Sequence, residues 1–158
     1  MVRVGFYSSP PGLACSRTQH FSQPGRDFIL SMNMKDQQTP IPFLDISVII
    51  IAMNEAHDIA DTIASVSGWC REVIVFDSGS VDGTQALCRS LGAKVFDTDW
   101  PGDGPQKNRA LAQATGEWVI CLDADEQISE PLQREIRETL SKTDCAAFST
   151  PRLSSFCG

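Results

Sequence analysis

The stretch ISVIIIA, residues 46–52, decides the fold of this 158-residue chain. Its β-branched residues run on without polar alternation, which is typical of a strand buried on both faces of a parallel sheet. Similar runs at residues 72–77, 94–96 and 118–123 predict three more strands, and residues 146–150 predict a last one. Between these runs the apolar residues recur three or four positions apart, which predicts helices.

Four helices are predicted, one after each of the first four strands. The apolar residues that define them are Ile59, Ile63 and Val66, then Ala86, Leu87 and Leu91, then Ala110, Leu111 and Ala114, and last Leu132, Ile136 and Leu140. We expect Gly92 and Gly116 to end the second and third helices, and Ser129 to cap the fourth. The alternation predicts an α/β, Rossmann-like domain over residues 45–158, with a mainly parallel sheet covered by helices on both faces.

Residues 1–44 carry no periodic pattern and are rich in Ser, Pro, Gly and Gln. This composition predicts a disordered leader. A start codon assigned too early is the alternative, with Met32 or Met34 as the true first residue.

Composition and charge exclude several classes of function. The net charge of −7 argues against a nucleic-acid partner held through its phosphates. An acidic protein can still bind a phosphorylated ligand if a metal ion stands between the two negative charges. The six cysteines show no C-x-x-C spacing, which predicts buried free thiols in a reducing cytosol. No stretch approaches the roughly 20 apolar residues of a membrane-spanning helix.

Polar residues directly follow three of the predicted strands. They are Asn54-Glu55, then Asp77-Ser78, and then Asp123-Ala124-Asp125. Ligands bind outside the carboxyl ends of the strands in an open parallel sheet, so we expect these carboxylates to share one crevice. Because Ser80 or Asp82 can cap the next helix, Asp77 is expected to be free to meet a base edge or a ribose.

The carboxylates of Asp123, Asp125 and Glu126 would repel one another unless a cation or a hydrogen-bond donor compensates their charge. Mg²⁺ and Mn²⁺ prefer such carboxylate oxygens and leave positions open for substrate phosphates. A metal held there could neutralise a diphosphate leaving group. The alternative is an ordinary acidic turn after a strand, because D-x-D alone is common by chance.

A basic segment follows the polar, glycine-rich loop at residues 98–104. Lys107, Asn108 and Arg109 are expected to open the third helix, where a helix N-terminus beside a lysine suits a phosphate. For Arg109 a solvated helix start is the better interpretation. The first strand is followed neither by G-x-G-x-x-G nor by a Walker lysine motif, which argues against a dehydrogenase or a P-loop enzyme.

Residues 48–55, 73–84 and 116–126 together resemble family 2 glycosyltransferases of the GT-A fold. More narrowly, residues 104–111 and 151–158 are similar to bacterial lipopolysaccharide core β-glucosyltransferases. The resemblance implies an inverting transfer of a sugar, with glucose favoured, from a nucleotide diphosphate donor such as a UDP-sugar. It also implies a glycan or lipid-linked acceptor, and a cytoplasmic protein that associates peripherally with the inner membrane.

The resemblance also implies a role for each strand-end residue. Asp125 would bind Mg²⁺ or Mn²⁺, with Asp123 near the ribose and the metal. Asp77 would meet the nucleobase, and Lys107 the phosphates or the base. The remaining sugar-donor-binding residues are Asn54, Glu55, Ser78 and Asn108.

In this family the acceptor site and the general base come from a following half, so the base is expected beyond Gly158 and the chain is interpreted as C-terminally truncated. A non-catalytic nucleotide-sugar-binding fragment is the alternative. A phospho-acceptor regulatory domain is a third alternative and ranks below both. Such a domain has a pair of acidic residues after its first strand, where this chain has Asn54-Glu55.

Overall fold

The computed structural model describes residues 44–142 and 147–150, and the backbone of residues 4–8. Its strands form one six-stranded sheet in the order β4-β3-β2-β5-β1-β6. The strands are β1 (Val4–Ser8), β2 (Leu44–Ala52), β3 (Cys70–Asp77), β4 (Lys94–Asp97), β5 (Trp118–Asp123) and β6 (Ala147–Thr150). Strands β4, β3, β2 and β5 are parallel, whereas β1 pairs antiparallel with both β5 and β6.

Helices cover both faces of the sheet, as the sequence predicts. They are α1 (Ile59–Val66), α2 (Thr84–Ser90), α3 (Asp103–Leu111) and α4 (Glu130–Leu140). The larger core cluster lies on one face, where Ile63, Cys88 and Ile136 bring α1, α2 and α4 against the sheet. The other face carries α3, whose Ala110 packs with Ile49 of β2. Because β2 buries side chains on both faces, its apolar run is continuous rather than alternating.

The register of the parallel strands aligns their carboxyl ends. Ala52 pairs with Asp77, and Ile51 pairs with Asp123. Asp77 in turn pairs with Asp97 at the end of β4. The loops after these strands therefore leave the sheet along one edge, which is where open parallel sheets bind ligands.

Strand β1 lies within the segment that the sequence predicts to be a disordered leader. Its Phe6 pairs with Ile120 of β5 and with Phe148 of β6, so its partners lie near the other end of the chain. Because the strand is only five residues long and pairs with distant segments, the local sequence shows no periodic pattern that would predict it. Leu44 begins β2, the other residues between 1 and 43 lie outside the described residues, and the domain boundary at residue 45 stays a prediction.

The third helix begins and ends earlier than its sequence pattern suggests. Gly102, with a φ of 105°, is the N-cap residue, so α3 starts at Asp103 and Lys107 lies beyond its first turn. The expectation that Lys107 opens this helix is therefore wrong. Pro105 fits here because the first turn leaves backbone N–H groups unpaired anyway.

Gly116 does not end α3, which stops at Leu111. A Cβ atom on Gly116 would lie 2.6 Å from the backbone nitrogen of Ser47. The glycine therefore allows the start of β5 to approach the start of β2. By contrast, Gly92 follows α2 with a φ of 85°, and the Ser129 hydroxyl accepts a hydrogen bond from the Leu132 N–H at the start of α4, as predicted.

The prediction of buried free thiols is confirmed for Cys70 and Cys88, whereas Cys121, also a free thiol, is only partly buried. Three free thiols are seen, and burial raises the pKa of each to about 11, so they stay protonated near neutral pH; they are Cys70, Cys88 and Cys121. The other three cysteines lie outside the described residues. Among the helices that the structure describes, none is long and apolar enough to cross a membrane.

Candidate functional site

Asp77 ends β3 and organises the loop that follows. Its carboxylate accepts hydrogen bonds from the N–H groups of Gly79 and Ser80, from the Ser80 hydroxyl and from the Gln85 amide. The residue has no solvent-exposed surface. This differs from the sequence expectation of a free carboxylate, because a nucleobase could reach Asp77 only if Ser80 or Gln85 gave up its hydrogen bond.

The loop after β2 is fastened to the loop after β3. The Asn54 N–H donates to the Ser80 hydroxyl at 2.7 Å, and the Asn54 side-chain oxygen accepts from the Val81 N–H at 2.9 Å. The Glu55 N–H donates to the Thr84 hydroxyl at 2.9 Å. Asn54 has a φ of 59°, a left-handed conformation that asparagine adopts more readily than most residues. These bonds fix the backbone of Asn54 and Glu55 against residues 80–84.

The loop after β5, residues 123–126, is called the acid loop below. The Asp123 N–H donates to the Glu126 carboxylate at 2.8 Å, and the Glu126 N–H donates back to the Asp123 carbonyl at 3.1 Å. Across from the loop, Lys107 of α3 forms a 3.0 Å ion pair with the Asp123 carboxylate. The Lys107 ammonium group and the Asp123 N–H thus offset part of the repulsion within the acidic run. Asp125 lies at the tip of the loop and is exposed.

The pKa shifts show that these groups act on each other. Partial burial raises the pKa of Glu55, and the negative charges of Asp125, Asp58 and Asp82 raise it further. Burial alone would lower the pKa of Lys107, but the hydrogen bond to Asp123 and the surrounding negative charge outweigh it and raise the pKa. Negative charge is therefore concentrated at this edge, where a bound cation would relieve it.

The structure brings together only part of the predicted set. Lys107 and Asp123 form an ion pair at the edge of the sheet, and the charge of the nearby Asp125 acts on Glu55. Asp77 and Ser78, by contrast, are buried. Asn108 is exposed on α3. The last basic candidate, Arg109, forms an exposed 2.6 Å ion pair with Asp99, in line with the solvated interpretation.

Two buried polar residues near the site are not predicted from the sequence. Gln106 has no exposed surface, and its amide nitrogen donates to the hydroxyls of Ser78 and Thr98 at 3.1 and 2.6 Å. Thr62 of α1 is equally buried and donates to the Ala124 carbonyl at 2.7 Å. Each lies on the apolar face of its helix, and a polar residue at such a position is the signal that could have revealed both.

The acid loop suits a hard divalent cation whose remaining ligands come from a substrate. Within the described residues, no three His, Cys, Asp or Glu side chains are grouped so that they could hold a metal alone. Mg²⁺ commonly takes one or two carboxylates together with substrate phosphates, which matches Asp123 and Asp125. The donor set therefore fits a metal bound jointly with a diphosphate.

Comparison with known proteins places the chain in a family. Residues 47–157 match Glycosyl transferase family 2, and the chain belongs to that family. The predicted GT-A-type α/β fold is confirmed by the parallel part of the sheet together with solved glycosyltransferase structures. The crystal structure of residues 1–349 of S. aureus TarS superposes with a TM-score of 0.52 at 26% identity, over 59% of this chain and 31% of that one.

Two curated relatives are named enzymes. LpsC of Rhizobium meliloti, a lipopolysaccharide core biosynthesis glycosyltransferase, is 35% identical over 113 residues, which cover 66% of this chain and 40% of LpsC. Glucosyl-3-phosphoglycerate synthase of Mycobacterium tuberculosis is 36% identical over 92 residues, which cover 51% of this chain and 28% of the synthase. One solved structure of that synthase, with a TM-score of 0.47 at 32% identity over 52% of this chain and 34% of that one, contains Mn²⁺, UDP-glucose and phosphoglyceric acid. The chain thus spans less than half the length of these relatives.

Proposed function

We propose that residues 45–158 are the sugar-donor-binding part of a metal-dependent, inverting family 2 glycosyltransferase. The observation that carries the proposal is the Lys107–Asp123 ion pair at the carboxyl edge of the sheet, beside Asp125, whose negative charge acts on Glu55. Three carboxylates would repel a diphosphate, whereas a cation bound between the carboxylates and the phosphates would attract both. Membership of the family supplies the reaction class.

Each residue at the edge has a task in this proposal. Asp125 and Asp123 hold Mg²⁺ or Mn²⁺, which when bound neutralises charge on the departing nucleoside diphosphate. Lys107 is protonated near neutral pH, since burial is outweighed by the hydrogen bond to Asp123 and the surrounding negative charge, which raise its pKa further, so it can donate to a phosphate oxygen as well as to Asp123. Asn54 and Glu55 contact the nucleoside.

The other predicted contacts with the sugar donor involve Asp77, Ser78 and Asn108. Asp77 meets the nucleobase once Gln85 or Ser80 releases its carboxylate. Ser78 supports that contact from the turn, and Asn108 reaches the sugar donor from the exposed side of α3.

One relative favours UDP-glucose as the sugar donor. The mycobacterial synthase, related by sequence, has been solved with UDP-glucose and Mn²⁺. LpsC favours a lipopolysaccharide core or a similar glycan as the acceptor. With a lipid-linked acceptor, the enzyme would work in the cytoplasm at the inner face of the inner membrane.

The test is calorimetric titration of the full chain with UDP and UDP-glucose, with and without Mn²⁺. We expect Mn²⁺-dependent binding that Asp125→Asn weakens about tenfold or more, since losing a charged partner costs about 1.5–3 kcal/mol. The matched control is Asp61→Asn, which removes one exposed carboxylate from the first turn of α1. Folded protein that binds neither ligand, or an Asp125→Asn variant that binds like Asp61→Asn, would contradict the proposal.

Release of UDP from UDP-glucose separates a transferase from a fragment that only binds. Metal-dependent release, stimulated by a glycan acceptor, supports the transferase. Binding without release supports the non-catalytic alternative and leaves the sugar-donor site intact.

A further inference from the structure

Helix α1 contacts the acid loop and Ile128, two residues after it, through two hydroxyl groups. The fully buried Thr62 donates to the carbonyl of Ala124 at 2.7 Å. One turn later, the Ser65 hydroxyl accepts from the Ile128 N–H at 3.1 Å and donates to the Thr62 carbonyl at 2.8 Å. The chain from residue 124 to residue 128 is therefore held at both ends by a single helix.

The position of the Thr62 contact matters because sheet pairing stops just before it. Asp123 is still fixed by its pairing with Ile51 of β2. Asp125 lies beyond that last pair and is exposed. The Ala124 carbonyl belongs to the peptide unit that leads into Asp125, so the Thr62 hydrogen bond fixes the orientation of this unit.

The same helix also holds the loop that carries Glu55. At the start of α1, the N–H groups of Asp58 and Ile59 donate to the Glu55 carbonyl at 3.2 and 3.0 Å. Helix α1 therefore contacts the backbone of both loops, at Glu55 and at Ala124. The spacing of the Glu55 and Asp125 carboxylates then depends on how α1 is held against the acid loop.

We propose that Thr62 and Ser65 are positioning residues that hold Asp125 ready for the metal. The inference rests on the function proposed above, and neither hydroxyl touches the ligand. Groups that orient metal-binding side chains from behind typically change metal affinity about 10- to 100-fold when they are removed. An unrestrained acid loop would have to be ordered at the moment of binding, which weakens the metal-bound complex but not the metal-free one.

The main test compares Thr62→Val with Thr62→Ser. Valine keeps the branched shape and removes the hydroxyl, whereas serine keeps the hydroxyl. We expect Thr62→Val to weaken UDP binding in the presence of Mn²⁺ about tenfold, with UDP binding in its absence unchanged, and Thr62→Ser to stay within about twofold of wild type. Equal losses with and without Mn²⁺, or no loss in Thr62→Val, would overturn the proposal.

A second readout needs no ligand. Native-state hydrogen exchange at the Asp123 and Glu126 amides, which close the acid loop, should be faster in Thr62→Val than in wild type. If Thr62→Val does not fold, Ser65→Ala tests the same restraint from the partly exposed side. Its control is Ser90→Ala in α2, because the Ser90 hydroxyl likewise donates to a carbonyl three residues earlier. Faster exchange in Ser90→Ala to the same extent as in Ser65→Ala would overturn the proposal.

The wild-type protein separates the two levels of inference. If wild type binds UDP without any effect of Mn²⁺, the proposed metal site is refuted and this role of α1 with it. If wild type depends on Mn²⁺ and Thr62→Val and Ser65→Ala keep that dependence in full, only the role of the two hydroxyls is refuted.

Discussion

Glu72, near the start of β3, is the residue whose ionisation should matter most for stability. Its carboxylate accepts hydrogen bonds from the Ser47 hydroxyl at 2.6 Å and from the N–H and hydroxyl of Thr115 at 2.9 and 2.7 Å. Lys94 forms an ion pair with its second oxygen, and the Glu72 side chain is only 7% exposed. Burial by itself would raise the pKa of Glu72, but these partners outweigh burial and lower it from 4.5 to about 2.

The direction of this shift sets the pH dependence. Because the folded chain holds the Glu72 proton less tightly than the unfolded chain, ionised Glu72 stabilises the fold above about pH 4.5. That stabilisation is lost as the pH falls toward 2. The two pKa values correspond to at most about 3 kcal/mol of unfolding free energy at pH 7, of which a little under half is left at pH 3.

Glu72→Gln tests this reasoning. Glutamine keeps an oxygen for Ser47 and Thr115 but carries no charge for Lys94, so we expect a loss of about 2–3 kcal/mol at pH 7 and about 1 kcal/mol at pH 3. Urea unfolding of wild type and variant at both pH values measures the two differences. The exposed Glu117→Gln is the control and should change stability little at either pH. An equal loss for Glu72→Gln at pH 7 and pH 3 would show that packing, and not ionisation, is responsible.

Two further predictions concern the close approach of the strands and the cation at the site. In urea unfolding, Gly116→Ala should lower the unfolding free energy by about 1–3 kcal/mol, because the new Cβ atom would clash with the backbone of Ser47. The control is Gly104→Ala in α3, where a Cβ atom has open space, so this variant should be neutral or stabilising. Equal effects of the two variants would contradict the steric explanation. Lys107→Met should weaken UDP binding in the presence of Mn²⁺ about tenfold by calorimetry, because a diphosphate loses its ammonium partner; unchanged affinity would show that Lys107 serves only Asp123.

The parallel part of the fold could be predicted because its signals are local. The apolar run at residues 46–52 and the helical spacing of Ile59, Ile63 and Val66 each reflect burial within one element. Strand β1 could not be predicted, since only its pairing with distant β5 and β6 makes it a strand. The start of α3 was misplaced because Gly102 and Pro105 fix it by backbone geometry, which an apolar period does not register.

The candidate site could be predicted to the level of strand ends but not of contacts. The topology alone places Glu55, Asp123 and Asp125 at one edge, because parallel strands bring their carboxyl ends together. That Lys107 pairs with Asp123, and that Asp77 is enclosed by its own loop, depends on side-chain packing that spacing in the sequence does not encode. The supporting role of Thr62 has the same origin, since it needs α1 to lie behind the acid loop.

The hydrogen-bond network around Glu72 and the acid loop lie at opposite ends of the sheet. Glu72 and Asp77 are five residues apart on β3, which is about 16 Å along a strand. Substitutions at that separation usually combine additively, because they share no partner. Substitutions that change sugar-donor binding at one end of the sheet should therefore leave the stabilising network around Glu72 intact. A laboratory selection for a new nucleotide sugar could begin from a variant that is already stabilised at the Glu72 end.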